Sequence, residues 1–279
     1  MTETLLPKGS ELSDRHWATL LDELPLWSAP FGLMLLDKVR HRPGLRALDL
    51  GFGAGFPLLE LAQRLGPSAR VWGLDPWVPG LLRLREKQAV LRLSNLLPVR
   101  GRAEAMPFRD GVFDLLVSNN GLNNMADLDR VLPECRRVAR PGAQLLATMN
   151  LPETMTEFYV ALEAVLLDMG RRAEAAAIER HIFDKRKPRE WLHRLFEDSG
   201  FRIAAAEESS FKLRFTDGTA MFRHALIRLA FLEPWEAIVA PEVRADVFGR
   251  VESRLNAAAA AAGSLSLTIP FECFDCRRR

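Results

Sequence analysis

From Ala47 to Phe56 the chain reads Ala-Leu-Asp-Leu-Gly-Phe-Gly-Ala-Gly-Phe, an apolar run that carries an acid and then glycines at 51, 53 and 55. Glycines let a backbone approach a ligand closely and adopt positive φ. A helix starting behind such a turn offers free N–H groups and partial positive charge to an anionic group. A tight strand–helix turn with no ligand has the same spelling. A second acid, Asp75, follows the apolar run Arg70–Leu74. A carboxylate at the end of a second strand can accept both hydroxyl protons of a ribose. The dinucleotide fingerprint G-x-G-x-x-G/A needs a small residue at position 56, where Phe56 stands, and the first strand begins only near residue 45. Both features disfavour NAD.

These residues need a sheet to hold them. From Leu45 onward short apolar runs alternate with amphipathic stretches, the pattern of βαβ units. Strands are expected at Arg46–Leu50, Arg70–Leu74, Leu97–Arg100, Phe113–Ser118 and Ala143–Met149, with a helix over Phe56–Leu65 that stops at Gly66-Pro67. After Asn150 the regular alternation lapses. Met155, Phe158, Tyr159, Leu162, Val165, Leu166 and Met169 form one apolar helix stripe. A helix after Pro188 closes at Ser199-Gly200, and Phe201–Ala206 and Leu265–Phe271 read as sixth and seventh strands. Between them lie a strand-like Phe211–Phe215, a turn at Asp217-Gly218, and two helical stretches. The last of these, Pro241 to Ala262, carries six consecutive alanines. The expectation is an α/β fold: a doubly wound, mostly parallel seven-stranded sheet. Residues 1–44 are expected to form helices broken at Pro25 and Pro30, carrying Trp17, Trp27 and Phe31.

Asp49-Leu50-Gly51-Phe52-Gly53-Ala54-Gly55 has the D-x-G-x-G-x-G pattern of class I S-adenosylmethionine (SAM) methyltransferases, and the sequence resembles them. Further segments agree in order: Gly73-Leu74-Asp75-Pro76-Trp77, then Gly101-Arg102-Ala103-Glu104-Ala105-Met106-Pro107-Phe108 and Phe113-Asp114-Leu115-Leu116. Asn120-Gly121-Leu122-Asn123-Asn124-Met125-Ala126-Asp127 and Arg137-Val138-Ala139-Arg140-Pro141-Gly142 follow. The nearest look-alikes are the ubiquinone/menaquinone-biosynthesis C-methyltransferases and their broad relatives, the methyltransferase type 11 group. The resemblance covers residues 40–150 and implies SAM as cofactor and S-adenosylhomocysteine as product. It implies cofactor contacts at Asp49, Gly51, Gly53, Gly55, Asp75, Pro76, Trp77, Ala103, Glu104 and Asn119, with Asp75 on the ribose hydroxyls. Trp77 would either stack on adenine or pack in the core. Phe52 stands where the family often has Cys or Ser, and Arg102 where it often has an Asp that accepts from the adenine amino group. Arginine cannot accept a hydrogen bond, so that contact passes to the Ala103 backbone or the Glu104 carboxylate.

The cofactor says more than the acceptor does. Enzymes that methylate exocyclic amines typically carry N-P-P-Y/F after strand four, where this chain reads Ser118-Asn119-Asn120-Gly121, and no Pro-Cys pair of a cytosine C5 enzyme occurs. A small, apolar or aromatic methyl acceptor is therefore expected, with in-line displacement. RNA or protein methylation, or a non-catalytic SAM-binding subunit, are the alternatives. His181, His224 and Tyr159 are the candidates for a catalytic group, and no pair of the five histidines has metal-ligand spacing. The expected domains are an N-terminal helical cap segment at 1–44, a SAM-binding core at 45–150, and the rest of the fold at 151–279. The last includes substrate-cap insertions at 151–187 and 207–264, where Met155, Phe158, Tyr159, Met221, Phe222 and Trp235 would line the substrate mouth.

Composition bounds the rest. At 279 residues, 48% hydrophobic and 27% charged, with net charge +2, the chain is globular in type. Its basic residues are scattered, with a run at Arg277–Arg279 that reads as a solvated tail; a nucleic-acid binder concentrates such charge on one face. No apolar run approaches the ~18 residues of a membrane helix, and Met1–His16 lacks the basic start and apolar stretch of a signal peptide, so the cytoplasm is expected. Cys273 and Cys276 have C-x-x-C spacing, but no second pair completes four zinc ligands.

Overall fold

A computed structural model of the chain describes residues 13–23 and 27–279. Two helices, α1 (Asp14–Glu23) and α2 (Ala29–Asp37), precede the sheet. Pro30 does not break α2; it lies in its first turn, where a missing N–H costs nothing. Pro25 and the side chain of Trp17 lie outside the described residues. Then come β1 (Arg46–Leu50), α3 (Leu58–Leu65), β2 (Arg70–Asp75), α4 (Val78–Leu91), β3 (Leu96–Arg100), β4 (Phe113–Asn119), α5 (Leu128–Val138) and β5 (Ala139–Asn150). The remainder is α6 (Thr156–Asp168), α7 (Arg172–Lys185), α8 (Arg189–Asp198), β6 (Phe201–Phe215), α9 (Gly218–Arg223), α10 (Leu232–Glu236), α11 (Arg244–Ala262) and β7 (Leu265–Arg278).

The seven strands form one sheet in the order β3-β2-β1-β4-β5-β7-β6. Strands β1 to β5 pair in parallel, and β7 runs antiparallel to β5. This is the doubly wound, mostly parallel sheet that the alternation predicts. The order turns back at β1, which has β2 on one side and β4 on the other. In such sheets ligands sit outside the carboxyl ends of the strands at that switch point. Leu50, Asp75, Asn119 and Asn150 are the last residues of four of these strands.

Several boundaries differ from expectation for local reasons. Helix α3 opens at Leu58, two residues late, because Pro57 occupies its N-cap. Strand β5 starts at Ala139, which pairs with Phe113 across an irregularity in the ladder, so Pro141-Gly142 is passed within a strand. Phe211–Phe215 is no separate strand but the continuation of β6. Asp217-Gly218 opens α9, with the Asp217 carboxylate accepting from Ala220 N at 2.7 Å. The arginine run is not a solvated tail: Arg277 and Arg278 belong to β7 and Arg277 is buried, donating to Asp275.

The chain divides into two compact units. The sheet unit holds, of the described residues, 21–23, 27–150, 188–209 and 271–279. One of its cores places Leu48, Leu50, Leu116 and Leu145 against α5 and α8; the other places Ala47, Leu115, Val117 and Leu146 with residues of α2, α3 and α4. Alternation along each strand separates the two, and Asp49 shares the face of Ala47. Phe31 of α2 is fully buried, edge-on to Phe271 at 4.7 Å.

The helical unit holds, of the described residues, 13–20, 151–187 and 210–270. Here α6 packs on α7 and α11. Phe158 stacks on Trp235 with ring centroids 3.7 Å apart, and Val247, Val251, Leu255 and Ala259 form the buried face of α11 at the i,i+4 spacing.

Candidate active site

The turn after β1 uses its glycines for different ends. Gly55 has φ +116, a conformation that calls for glycine, and a Cβ there would also crowd Leu84 Cδ1 at 2.8 Å and Leu59 Cδ1 at 3.0 Å. Gly53 has φ +53 and a Cβ would meet nothing within 4 Å. That backbone borders open space, a cradle that a side chain would fill. Gly53 N donates to Asp75 Oδ2 at 2.8 Å, and Trp77 N donates to Asp75 Oδ1 at 2.8 Å. One carboxylate thereby ties the loop after β1 to the loop after β2. Gly80 seals the junction: a Cβ there would fall 2.4 Å from both Gly53 O and Trp77 Cε3. Pro76 is exposed and Trp77 half-buried.

Asp49 is the electrostatic oddity of the site. It is fully buried, and among the described residues neither carboxylate oxygen has a hydrogen-bond partner. Burial and then the nearby charge of Asp75 push its carboxyl up to about 8. Burial also raises Asp75, against the pull of the Trp77 and Gly53 amides. Two neighbouring acids with no basic partner among the described residues, one of them tied to the open cradle at Gly53, suit a cationic ligand. Asp75 still has lone pairs to spare, since an ionised carboxylate offers about four acceptor sites. An orphaned buried acid, an open cradle and a half-engaged carboxylate together fit SAM.

Ala103 is buried, and the Glu104 carboxyl is lowered by its own backbone N–H and by Arg102, against burial. Arg102 is exposed and pairs with Glu104 at 3.1 Å. A clasp on α5 holds this segment. Glu134 accepts from Met106 N at 2.7 Å and from Arg137 at 2.6 and 2.8 Å. Arg137 also donates to Met106 O at 3.0 Å and Phe108 O at 2.7 Å. Sequence reading missed this pair, whose i,i+3 spacing resembles any surface ion pair.

Asn119 spends its amide on the protein: Nδ2 donates to Ser28 O at 3.0 Å, and Oδ1 accepts from Thr148 at 3.1 Å. Gly32 of α2 is close by, since a Cβ there would lie 3.1 Å from Asn119 Nδ2. Beyond it an amide network spans the ends of β4 and β5. Asn123 Nδ2 donates to Asn120 Oδ1 at 2.6 Å and to Asn150 Oδ1, and Asn124 Nδ2 donates to Asn120 O at 3.3 Å. The only signal in the sequence was a cluster of asparagines near strand ends.

The candidate catalytic groups lie in the helical unit. Tyr159 is buried, and its hydroxyl accepts from Trp235 Nε1 at 3.1 Å and from Arg186 Nη1 at 3.5 Å. The His181 ring is 6.0 Å from that of Tyr159. Burial, then Arg186 and Lys185, push its imidazole down to about 4. His224 sits apart, edge-on to Phe215 at 5.3 Å, and is lowered by burial. An imidazole that titrates near 4 is a weak general base at neutral pH. The three cysteines are buried with thiol pKa values raised by burial, Cys273 to about 12. Cys273 and Cys276 are three apart on β7 and so face opposite sides of the sheet.

Residues 48–147 match a family model described as a methyltransferase domain. A 37.1 kDa protein in a transposon of Streptomyces fradiae is 33% identical over 192 residues, which cover 66% of this chain and 51% of that protein. The demethylmenaquinone methyltransferase of Geobacillus sp. (strain WCH70) is 27% identical over 175 residues, 60% of this chain and 74% of the relative. This chain therefore spans about half the length of the first relative and about three quarters of the second. Among solved structures, a SAM dependent methyltransferase from Aquifex aeolicus shares the fold with a TM-score of 0.51 at 21% identity, over 70% of this chain and 92% of that one.

Proposed function

We propose that the chain, which matches a methyltransferase domain over residues 48–147, is a class I, SAM-dependent methyltransferase and methylates a small, apolar or aromatic molecule by in-line displacement. The observation that carries the reading is the shared carboxylate of Asp75, which holds the open glycine cradle beside the unpaired Asp49. When bound, SAM supplies an electrophilic methyl group on a positively charged sulfur. Asp75 would receive the ribose hydroxyls, and Asp49 would supply negative charge for the cationic part. The backbone of 51–55 would allow close approach, with Ala103, Glu104, Pro76 and Trp77 holding the base. Asn119 holds the end of β4 in place.

A sulfonium needs little help from a strong base, so alignment of nucleophile, carbon and sulfur is the main task. The neutral amides of Asn120, Asn123 and Asn150 offer both donors and acceptors for orienting an oxygen of the acceptor. The relatives named for demethylmenaquinone support a small-molecule acceptor, and so does the Ser118-Asn119-Asn120-Gly121 segment in place of an amine-methylating motif. We place the activity in the cytoplasm, a reading that three free, buried cysteines support.

The test is methyl transfer from labelled SAM into a host small-molecule extract, with mass analysis of the product, alongside calorimetry. SAM and S-adenosylhomocysteine are expected to bind and NAD not to. Binding of NAD with none of SAM would overturn the reading.

A further inference from the structure

Arg186 is a buried cation with no acid beside it among the described residues. It follows α7, is 6% exposed, and its backbone N–H closes the helix on Ile182 O at 2.8 Å. The other buried arginine among the described residues, Arg277, is answered by both oxygens of Asp275. Among the described residues no carboxylate lies within 4.0 Å of Arg186, and its side chain makes one long hydrogen bond, Nη1 to the Tyr159 hydroxyl at 3.5 Å. That oxygen is neutral and already accepts from Trp235. Arginine cannot shed its charge in a protein, and an unpaired buried charge is strongly unfavourable. The neighbourhood adds positive charge. Lys185 precedes it, and Arg186 and Lys185 both disfavour protonation of His181, against only the weaker pull of Asp184. Lys187 lies over the Phe183 ring instead.

Nη1 spends one of its two N–H groups on Tyr159, and Nε and Nη2 make no hydrogen bond among the described residues. They form the edge of the guanidinium that matches two oxygens of one carboxylate or phosphoryl group. Neither is among the occluded, unpaired polar atoms of the chain, so both reach accessible space. Tyr159, Trp235 and Phe158 back the group with buried aromatic surface, and low local dielectric strengthens a charge pair formed there.

We propose that Arg186, held by Tyr159, is an oxyanion receptor in the helical unit, and that the molecule it takes is small and carries a carboxylate or phosphoryl group. The receptor is read from the helical unit alone.

The experiment follows thermal unfolding and calorimetric binding with sodium benzoate and with inorganic pyrophosphate, against chloride at equal ionic strength. Wild type, Arg186→Gln and Arg186→Lys are compared. A ligand bound only by the folded chain raises Tm with concentration. At least one of the two anions should raise the Tm of wild type; benzoate alone identifies a carboxylate receptor, pyrophosphate alone a phosphoryl one. Affinity should fall at least tenfold in Arg186→Gln and at least threefold in Arg186→Lys, which keeps the charge but loses the fork. Without anion, Arg186→Gln should melt no lower than wild type, because it removes an unpaired charge. Equal anion responses in wild type and Arg186→Gln, or no response in wild type, would overturn the proposal. So would a lower melting point in Arg186→Gln with the anion response unchanged, which would mark a packing residue. SAM binding, measured in the same samples, reports separately: its absence in wild type defeats the methyltransferase reading and leaves the receptor standing.

Discussion

Replacing Asp75 by asparagine separates what that side chain does for the ligand from what it does for the fold. The carboxylate accepts two backbone N–H groups, Gly53 on Oδ2 and Trp77 on Oδ1, each at 2.8 Å. An amide has one oxygen and one NH₂, so in Asp75→Asn one of the two N–H groups faces another donor. Losing a hydrogen bond to a charged group costs ~1.5–3 kcal/mol. Against this, burial is the largest influence on the Asp75 carboxyl and disfavours its ionised form. The asparagine is spared that cost, so the two effects offset each other in the protein without ligand. A Tm within about 5 °C of wild type is expected, equivalent to ~1–2 kcal/mol for a chain of this size. The ligand sees no such compensation. The ribose loses a charged acceptor and the cradle loses one of its ties, so SAM affinity should fall ~10-fold to ~100-fold, ~1.4–2.7 kcal/mol. Calorimetric titration with SAM, beside thermal unfolding followed by circular dichroism, reads both quantities. Unchanged SAM affinity would refute the ribose assignment. A Tm lowered by more than about 10 °C would show instead that Asp75 is chiefly a structural clamp.

Asp49 sets a pH dependence: its folded-state carboxyl titrates at about 8 against ~3.9 unfolded, so the stability from its neutral form is complete below about pH 4 and lost as pH rises towards 8. Asp49→Asn should flatten that decline in Tm, and SAM titrations at pH 7 in buffers of different ionisation heat should reveal a released proton; buffer-independent heats would count against it. Gly53→Ala should cost only ~1–2 kcal/mol of stability yet weaken SAM binding at least tenfold. Gly55→Ala, which meets Leu84 and Leu59, should lose ~2–5 kcal/mol in urea unfolding from backbone strain and overpacking; equal losses in the two variants would contradict the distinction between cradle and packing. Cys273→Ser/Cys276→Ser should destabilise by ~1–3 kcal/mol for each buried hydroxyl and leave SAM binding intact, whereas stoichiometric zinc lost in the double variant would reverse the assignment.

The parallel part of the sheet was legible because apolar runs such as Arg46–Leu50 and Arg70–Leu74 are bounded by turn residues and alternate with amphipathic helices. The antiparallel end was not. Strand β7 continues through Asp275 and Arg277, whose charges read as solvent until their mutual pairing inside the fold is seen. Strand β6 runs fifteen residues with many of them exposed, so apolar patterning could not mark its length. In the site, the glycine turn around Gly53 was marked by residue type and spacing, and Asp75 by its place after an apolar run together with the family resemblance. The Glu134–Arg137 clasp was not, because its partners Met106 and Phe108 lie far back in the chain. Nor was the isolation of Arg186, since an unpaired arginine is spelled like a paired one.

Two amides twenty-four positions apart, those of Gly53 and Trp77, depend on one side chain. Neither loop can open fully while that carboxylate keeps its place, and displacing it frees both N–H groups at once. Their hydrogen exchange should therefore report a single event, with matched protection that rises together when cofactor binds. The loops after β1 and β2 behave as one cooperative opening unit, although the helix α3 and the whole of β2 separate them in the chain.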